Sequence, residues 1–238
     1  MPFTASEKTI LIVDDEPDLR EILQLELEDE GYQTELASQA HEALEILANK
    51  NIDLIVSDIR MPGGDGVLLL DSVIEKYQES IPLIFVSGFA DITIEESYHK
   101  GAWSMFSKPL NTERLFEYIS FALSAPSERW KKKSDWDSAP AIKLNGANHN
   151  FALGRGGCFL SIDQDLPRPA EQIHLKLEVE PGTFIEGLCI CRWQRSSQLK
   201  DDYKRGVGLE FVELSAESID LIEKTNQRRF AIPQIPMK

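Results

Sequence analysis

Cysteine is scarce: the 238 residues contain only Cys158, Cys189 and Cys191, an odd count for so long a chain. That argues against a disulfide framework and for reduced thiols, as in a cytoplasm. No run of roughly 18 apolar residues occurs anywhere, so no membrane-crossing helix is expected. The opening stretch MPFTASEKT has no apolar segment behind a basic leader, so an unexported, cytoplasmic chain is expected. Positive charge is sparse in the first half. Residues 1–125 hold 24 Asp/Glu against 8 Lys/Arg, a net of −16, while residues 126–238 hold 16 against 17, a net of +1. An acidic half repels nucleic acid and anionic membrane. The near-neutral half has no helix-turn-helix pattern, so neither DNA nor a membrane is an expected partner.

The charge asymmetry and the length both suit two domains. In the first half apolar runs alternate with amphipathic stretches: TILIVDD, DLREILQLELEDEGY, QTELAS, AHEALEILANK, IDLIVSD, and on to TERLFEYISFALS. This rhythm predicts five strands alternating with five helices. The strands are short and rich in Val and Ile, as in a parallel sheet buried on both faces. A doubly wound five-stranded parallel α/β domain over residues 1–124 follows.

In such sheets chemistry gathers at the carboxyl ends of the strands. Those ends carry Asp14 and Asp15, Asp58, Ser87, and Lys108 before Pro109. Clustered carboxylates raise one another's pKa unless a counter-charge is supplied, and magnesium suits a site offering a few carboxylates, water and phosphate. One carboxylate can then act as a nucleophile toward phosphorus. Lys108 would stabilise charge on the phosphoryl oxygens and Ser87 would donate a hydrogen bond to one of them.

The segments VDDEP, LIVSDIRMPGGDG, IFVSG and FSKPL resemble the receiver domain of bacterial response regulators over about residues 8–124. The resemblance implies strand order 2-1-3-4-5. It also implies phosphorylation of Asp58 by a histidine kinase or phosphotransfer protein, with no other catalysis. Magnesium would be arranged by Asp14, Asp15, Asp58 and the Arg60 carbonyl, and Ser87 and Lys108 would read the phosphate. Three residues before the lysine, where the family usually has Tyr or Phe, stands Met105. Ser87 and Met105 are therefore the expected switch positions, with a flexible side chain replacing a two-position ring.

After Leu123 the stretch SAPSERWKKKSDWDSAP loses periodicity, and residues 125–143 read as a linker with a short helix around Glu128 to Lys133. The basic segment Arg129, Lys131, Lys132 and Lys133 suits a solvated linker, a docking patch or a remnant anion site. Trp130 and Trp136 are expected to pack against a domain. Residues 144–238 hold FALGRGGCFLSI, QIHLKLEVE, TFIEGLCICRW and GVGLEFVEL, separated by turns such as EPGT, which predict a small antiparallel β-barrel. The stretch SAESIDLIEKTNQRRF predicts a closing helix behind a Ser cap. Cys189 and Cys191 share one face of a strand. His149 and His174 lack zinc-ligand spacing, so the thiols are expected in the core.

GGCFL and GVGLEFVEL resemble a PilZ domain, a small barrel that often binds cyclic di-GMP. The family's ligand motifs are RxxxR and DxSxxG. Arg129 matches the first arginine, but Lys133 replaces the second and lacks a planar bidentate fork. Gly157 matches the last glycine, but Ala152 and Gly154 stand in the aspartate and serine positions and offer no acceptor or hydroxyl. The resemblance implies a two-component response regulator with a degenerate PilZ-like output acting on an unidentified protein target without cyclic di-GMP. The alternative is a cyclic di-GMP effector that integrates both signals. Phosphorylation is expected to change contacts with the second domain or to drive self-association.

Overall fold

The structure, a computed structural model, describes the chain from residue 7 onward apart from 63–65, 78–80, 89–91, 132, 135, 137–138, 146–149, 163–165, 197–203, 227–233 and 237–238. Lys132 and His149 thus lie outside the described residues. Two compact units emerge: Met1–Thr93 with Lys100–Ser124, and Ile94–His99 with Ala125–Lys238.

The first unit alternates β1 (Thr9–Val13), α1 (Pro17–Asp29), β2 (Gln33–Ala37), α2 (Ala40–Asn49), β3 (Leu54–Asp58), α3 (Gly66–Tyr77) and β4 (Leu83–Ser87). Then follow α4 (Ile94–Lys100), β5 (Ser104–Ser107) and α5 (Thr112–Leu123). The strands pair in parallel in the order β2-β1-β3-β4-β5. Side chains alternate across a strand, so one sequence supplies two cores. Leu11, Val13, Ile55, Leu83 and Phe85 enter the cluster covered by Ala43 and Leu47 of α2 and Leu69, Leu70 and Val73 of α3. Their neighbours Ile10, Ile12, Leu54, Val56, Ile84 and Val86 enter the opposite cluster, with Leu23 and Leu27 of α1 and Leu115 and Ile119 of α5. Pro17 opens α1, and the Asn111 side chain caps α5 by accepting from Arg114 N at 2.9 Å. The three-layer arrangement brings the carboxyl ends of β1, β3 and β4 to one edge.

In the second unit, α6 (Pro126–Arg129), β6 (Ala141–Asn145), β7 (Phe151–Leu153) and β8 (Gly157–Leu160) are followed by β9 (Gln172–Glu180), β10 (Thr183–Arg195), β11 (Gly206–Leu214) and α7 (Ala216–Asn226). The sheet runs β6-β9-β10-β11-β8-β7. Gly182, at φ +77°, makes the turn between β9 and β10. Ile173, Leu175 and Leu177 of β9 and Ile185, Cys189 and Cys191 of β10 are buried. Ser215 caps α7 by accepting from Ser218 N, and the Ser218 hydroxyl accepts from Glu186 N at 2.9 Å, tying the helix to β10.

Three features depart from the sequence reading. FALGRGGCFLSI is two strands rather than one: Gly154 N donates to Gly157 O at 2.8 Å and Phe151 pairs with Leu160, and a Cβ on Gly157 would stand 2.2 Å from Leu209 O, so only glycine fits where the chain turns back against β11. Ala141–Asn145 is a strand, pairing in parallel with β9. The short helix spans Pro126–Arg129, ending before Lys133. It stops there because Trp130 O accepts from Leu214 N at 2.7 Å and Lys131 bridges to Leu214.

The connecting stretch is fastened to β11. Trp130 is buried and meets Phe211 edge-on at 6.5 Å. The Glu213 carboxylate, itself buried, accepts from Lys133 N at 3.0 Å, Ser134 N at 3.1 Å, the Ser134 hydroxyl at 3.0 Å and Trp136 Nε1 at 3.0 Å. Both tryptophans pack as their composition suggested.

Candidate phosphoryl-acceptor site

Asp14 follows β1, Asp58 ends β3, Ser87 ends β4 and Lys108 follows β5. The parallel sheet gathers them because each strand delivers its carboxyl end to the same edge. The Lys108 ammonium donates to Asp58 Oδ2 at 2.7 Å, Asp14 Oδ2 at 3.0 Å and Glu16 Oε1 at 3.3 Å. Lys108 N also donates to Ser87 O at 2.9 Å, which ties the end of β4 to the lysine. Asp14, Asp58 and Ser87 are buried.

Backbone donors orient the acids. Arg60 N donates to Asp58 Oδ1 at 3.1 Å and Glu16 N to Asp14 Oδ1 at 2.8 Å. The Arg20 guanidinium donates to the Asp14 carbonyl. Beneath Asp58, Gly66 leaves no room for a side chain: a Cβ there would stand 2.2 Å from Asp58 O.

Burial raises the Asp14 pKa, against the lowering effects of Glu16 N and the Lys108 ammonium. Burial alone would lower Lys108, but its bonds to Asp58 and Asp14 outweigh that and hold the ammonium charged above its ordinary value. The site is thus a set of hard oxygen donors whose carboxylates are bridged by the Lys108 ammonium, with the Arg20 guanidinium on the Asp14 carbonyl.

Carboxylate oxygens of Asp14, Glu16 and Asp58 lie within 4.8 Å of one another and fit a hard divalent cation. Asp15, expected from sequence among the ligands, is not in that cluster, and Glu16 is. Sequence reasoning passed over Glu16, although it lies in the VDDEP segment; a residue two positions past Asp14 can fold back once its own amide bonds the Asp14 carboxylate. Arg60, whose carbonyl is the expected backbone ligand, is held beside the acceptor by its own amide, which donates to Asp58 Oδ1.

Met105 pairs across from Phe85 on β4 and packs on the core cluster covered by α2 and α3. The next residue, Phe106, points to the other cluster and meets Tyr118 edge-on at 5.9 Å. The aromatic side chain near this position is therefore on the opposite face of the sheet from Met105.

The second unit's candidate ligand residues do not converge as a polar site. The Arg129 guanidinium lies over the Trp130 ring at 5.5 Å, and Lys133 is exposed while its amide bonds Glu213. Gly157 is buried, where a Cβ would stand 2.2 Å from Leu209 O, and Ala152 packs against apolar residues. Cys158, Cys189 and Cys191 are buried, and burial raises all three thiol pKa values, that of Cys191 to about 11.

Residues 10–120 match the family described as the response regulator receiver domain. The transcriptional regulatory protein GlrR of Escherichia coli K12 is 35% identical over 128 residues, covering 52% of this chain and 29% of GlrR. The nitrogen assimilation regulatory protein NtrX of Azorhizobium caulinodans is 39% identical over 117 residues, covering 48% of this chain and 26% of NtrX. The chain thus spans under a third of the length of these relatives. The solved structure of response regulator protein TrrA from Thermotoga maritima, in complex with Mg(2+)-BeF, is 33% identical; the match covers 49% of this chain and 99% of TrrA at a TM-score of 0.45.

Proposed function

We propose that this chain, a response regulator receiver domain over residues 10–120, accepts a phosphoryl group on Asp58 and signals through protein contacts of its second unit. One observation carries the reading: the Lys108 ammonium is bonded at once to the Asp58 and Asp14 carboxylates. That is a cation held where charge on a transferred phosphoryl group must be stabilised.

The donor is a phosphohistidine of a histidine kinase or phosphotransfer protein. An Asp58 carboxylate oxygen attacks phosphorus, the P–N bond breaks, and the imidazole nitrogen keeps the electron pair and takes a proton. Asp58 leaves as an acyl phosphate. Asp14, Glu16 and Asp58 would hold magnesium through carboxylate oxygens, and the ion, when bound, supplies positive charge to the phosphoryl oxygens. Lys108 turns its ammonium from the Asp58 carboxylate to the phosphoryl group, and the Ser87 hydroxyl donates to another of its oxygens. Those shifts pull on the chain after β4 and β5, and Met105 repacks against Phe85 as they do.

The output is a protein contact, with the second unit itself, another copy of the chain or a target protein, rather than a nucleotide. The apolar packing of Ala152, the burial of Gly157 and the exposed Lys133 support a PilZ-like domain that does not bind cyclic di-GMP. A calorimetric titration of the full chain with cyclic di-GMP is expected to show no saturable micromolar site, and such a site would favour the effector alternative. The central test is labelling with magnesium and a small-molecule phosphodonor. The parent should gain one acid- and base-labile phosphoryl group and Asp58→Asn none; equal labelling of the two would remove Asp58 as the acceptor.

A further inference from the structure

Most of α4, Ile94–His99, packs within the second unit. Its Tyr98 is 1% exposed and clusters with Phe159, Trp193 and Ile235, while Ala152 packs against the same group. Phe159 and Trp193 stack at 5.7 Å, and the buried Arg195 guanidinium lies 5.6 and 5.4 Å from their centroids. Arg195 pairs with Glu95 of α4 and is steadied by donating to Lys204 O at 2.8 Å. An aromatic shelf with a buried cation therefore receives one tyrosine and one carboxylate of α4.

The segment Gln234–Pro236 closes this socket. Gln234 and Ile235 are almost wholly buried. Backbone hydrogen bonds run in a line: Phe211 N to Gly156 O at 2.8 Å, Gly156 N to Gln234 O at 3.1 Å, and Gln234 N to Tyr98 O at 3.1 Å. Two glycines make the seat. A Cβ on Gly156 would stand 1.9 Å from Gln234 Nε2, and one on Gly157 would stand 2.7 Å from Ile235 Cγ1. The segment thus extends the bonding of β11 out to α4, and Ile235 shares the apolar cluster with Tyr98.

We propose that Gln234–Pro236 is a regulatory latch that seats α4 in this socket and opposes the state in which Asp58 is phosphorylated. The proposal rests on the reading of Asp58 as the acceptor. In sequence α4 lies between Ser87 and Lys108, the two residues proposed to turn toward the phosphoryl group, so a shift of the chain beside them has a covalent path to α4. The seated helix belongs to the state in which the Lys108 ammonium is bonded to the Asp58 carboxylate. A contact that stabilises one of two states weakens, by the same factor, whatever binds the other.

Two variants of the full protein test this: a chain ending at Pro233, and Ile235→Asp. Hydrogen exchange, without any phosphate mimic, should show amides of Glu95–Lys100 exchanging about tenfold faster in both, with amides of β1 and β3 unchanged. Titration with magnesium and beryllofluoride should show both variants saturating at least about fivefold below the parent's midpoint, the lower end of ordinary coupling between sites. Unchanged α4 exchange in both variants overturns the latch. Faster exchange with an unchanged midpoint overturns its regulatory role. A parent that binds no beryllofluoride defeats the reading of Asp58 and the coupling with it, while the exchange result still reports whether the segment holds α4.

Discussion

Replacing Glu213 with Gln keeps the side chain's shape and removes its charge. Glu213 Oε2 accepts from three N–H groups, those of Lys133, Ser134 and Trp136 Nε1, at 3.0 to 3.1 Å. A hydrogen bond to a charged acceptor contributes about 1.5–3 kcal/mol and a neutral one about 0.5–1.5. Across three donors the difference reaches roughly 3 kcal/mol, but the connecting stretch can surrender its amides to water, which caps the loss near ~2 kcal/mol. That corresponds to a rise of about 30-fold in hydrogen exchange at the Lys133 and Ser134 amides, with the amides of β10 as the internal control. The acid dependence has a definite sign. Burial works to raise the Glu213 pKa, but the donors from Lys133, Trp136 and Ser134 outweigh it and hold the carboxyl below its ordinary 4.5. Its contribution is fully present above the unfolded-state value and is lost as pH falls through the lower folded one. After correction for intrinsic rates, the parent's protection should therefore stay level from neutral pH down to about 5 and fall in stronger acid, with no such step in Glu213→Gln. Equal protection of the two proteins at neutral pH would refute the account of how the connector is held.

Three further outcomes follow from the same geometry. Lys108→Met removes the cation that now balances Asp14 and Asp58, so divalent-ion affinity measured by manganese titration should rise roughly tenfold; an unchanged affinity would mean the ammonium and the ion do not share those oxygens. Gly66→Ala places a methyl group 2.2 Å from Asp58 O, so phosphodonor labelling should slow and the urea midpoint should fall, at a cost of about 1–3 kcal/mol; parent-like values in both would show that α3 gives way freely. With all three thiols buried and their pKa values raised, a disulfide reagent at pH 8 should react only as the second unit unfolds, and rapid reaction of Cys158 or Cys189 in the native chain would contradict their burial.

The first unit was legible because its signals are local and repeat. Val- and Ile-rich runs such as TILIV and LIVSD alternate with helical stretches at the spacing of a parallel sheet, and Pro17 and Asn111 mark helix starts at the positions physics favours. The polar residues at strand ends then meet by topology, so the shared edge of Asp14, Asp58, Ser87 and Lys108 is legible in the sequence. Glu16 carried no sequence signal: it is exposed, and its carboxylate comes near those of Asp14 and Asp58 through the loop's own hydrogen bonds, including that from the Lys108 ammonium. Ala141–Asn145 escaped for a related reason: five residues beginning after a proline have no periodicity that separates a strand from a linker.

The chain's own sequence determined the layered parallel fold of the first unit and the edge on which its polar strand-end residues gather. Tertiary structure alone decided that the connecting stretch is fastened by Glu213, that the chain turns at Gly154–Gly156 between β7 and β8, and that Tyr98, Trp193 and Ile235 form one cluster. Those contacts join residues up to 137 positions apart in sequence. No local pattern encodes such a meeting; it arises only when separate elements bury their apolar faces and fill their unpaired donors together.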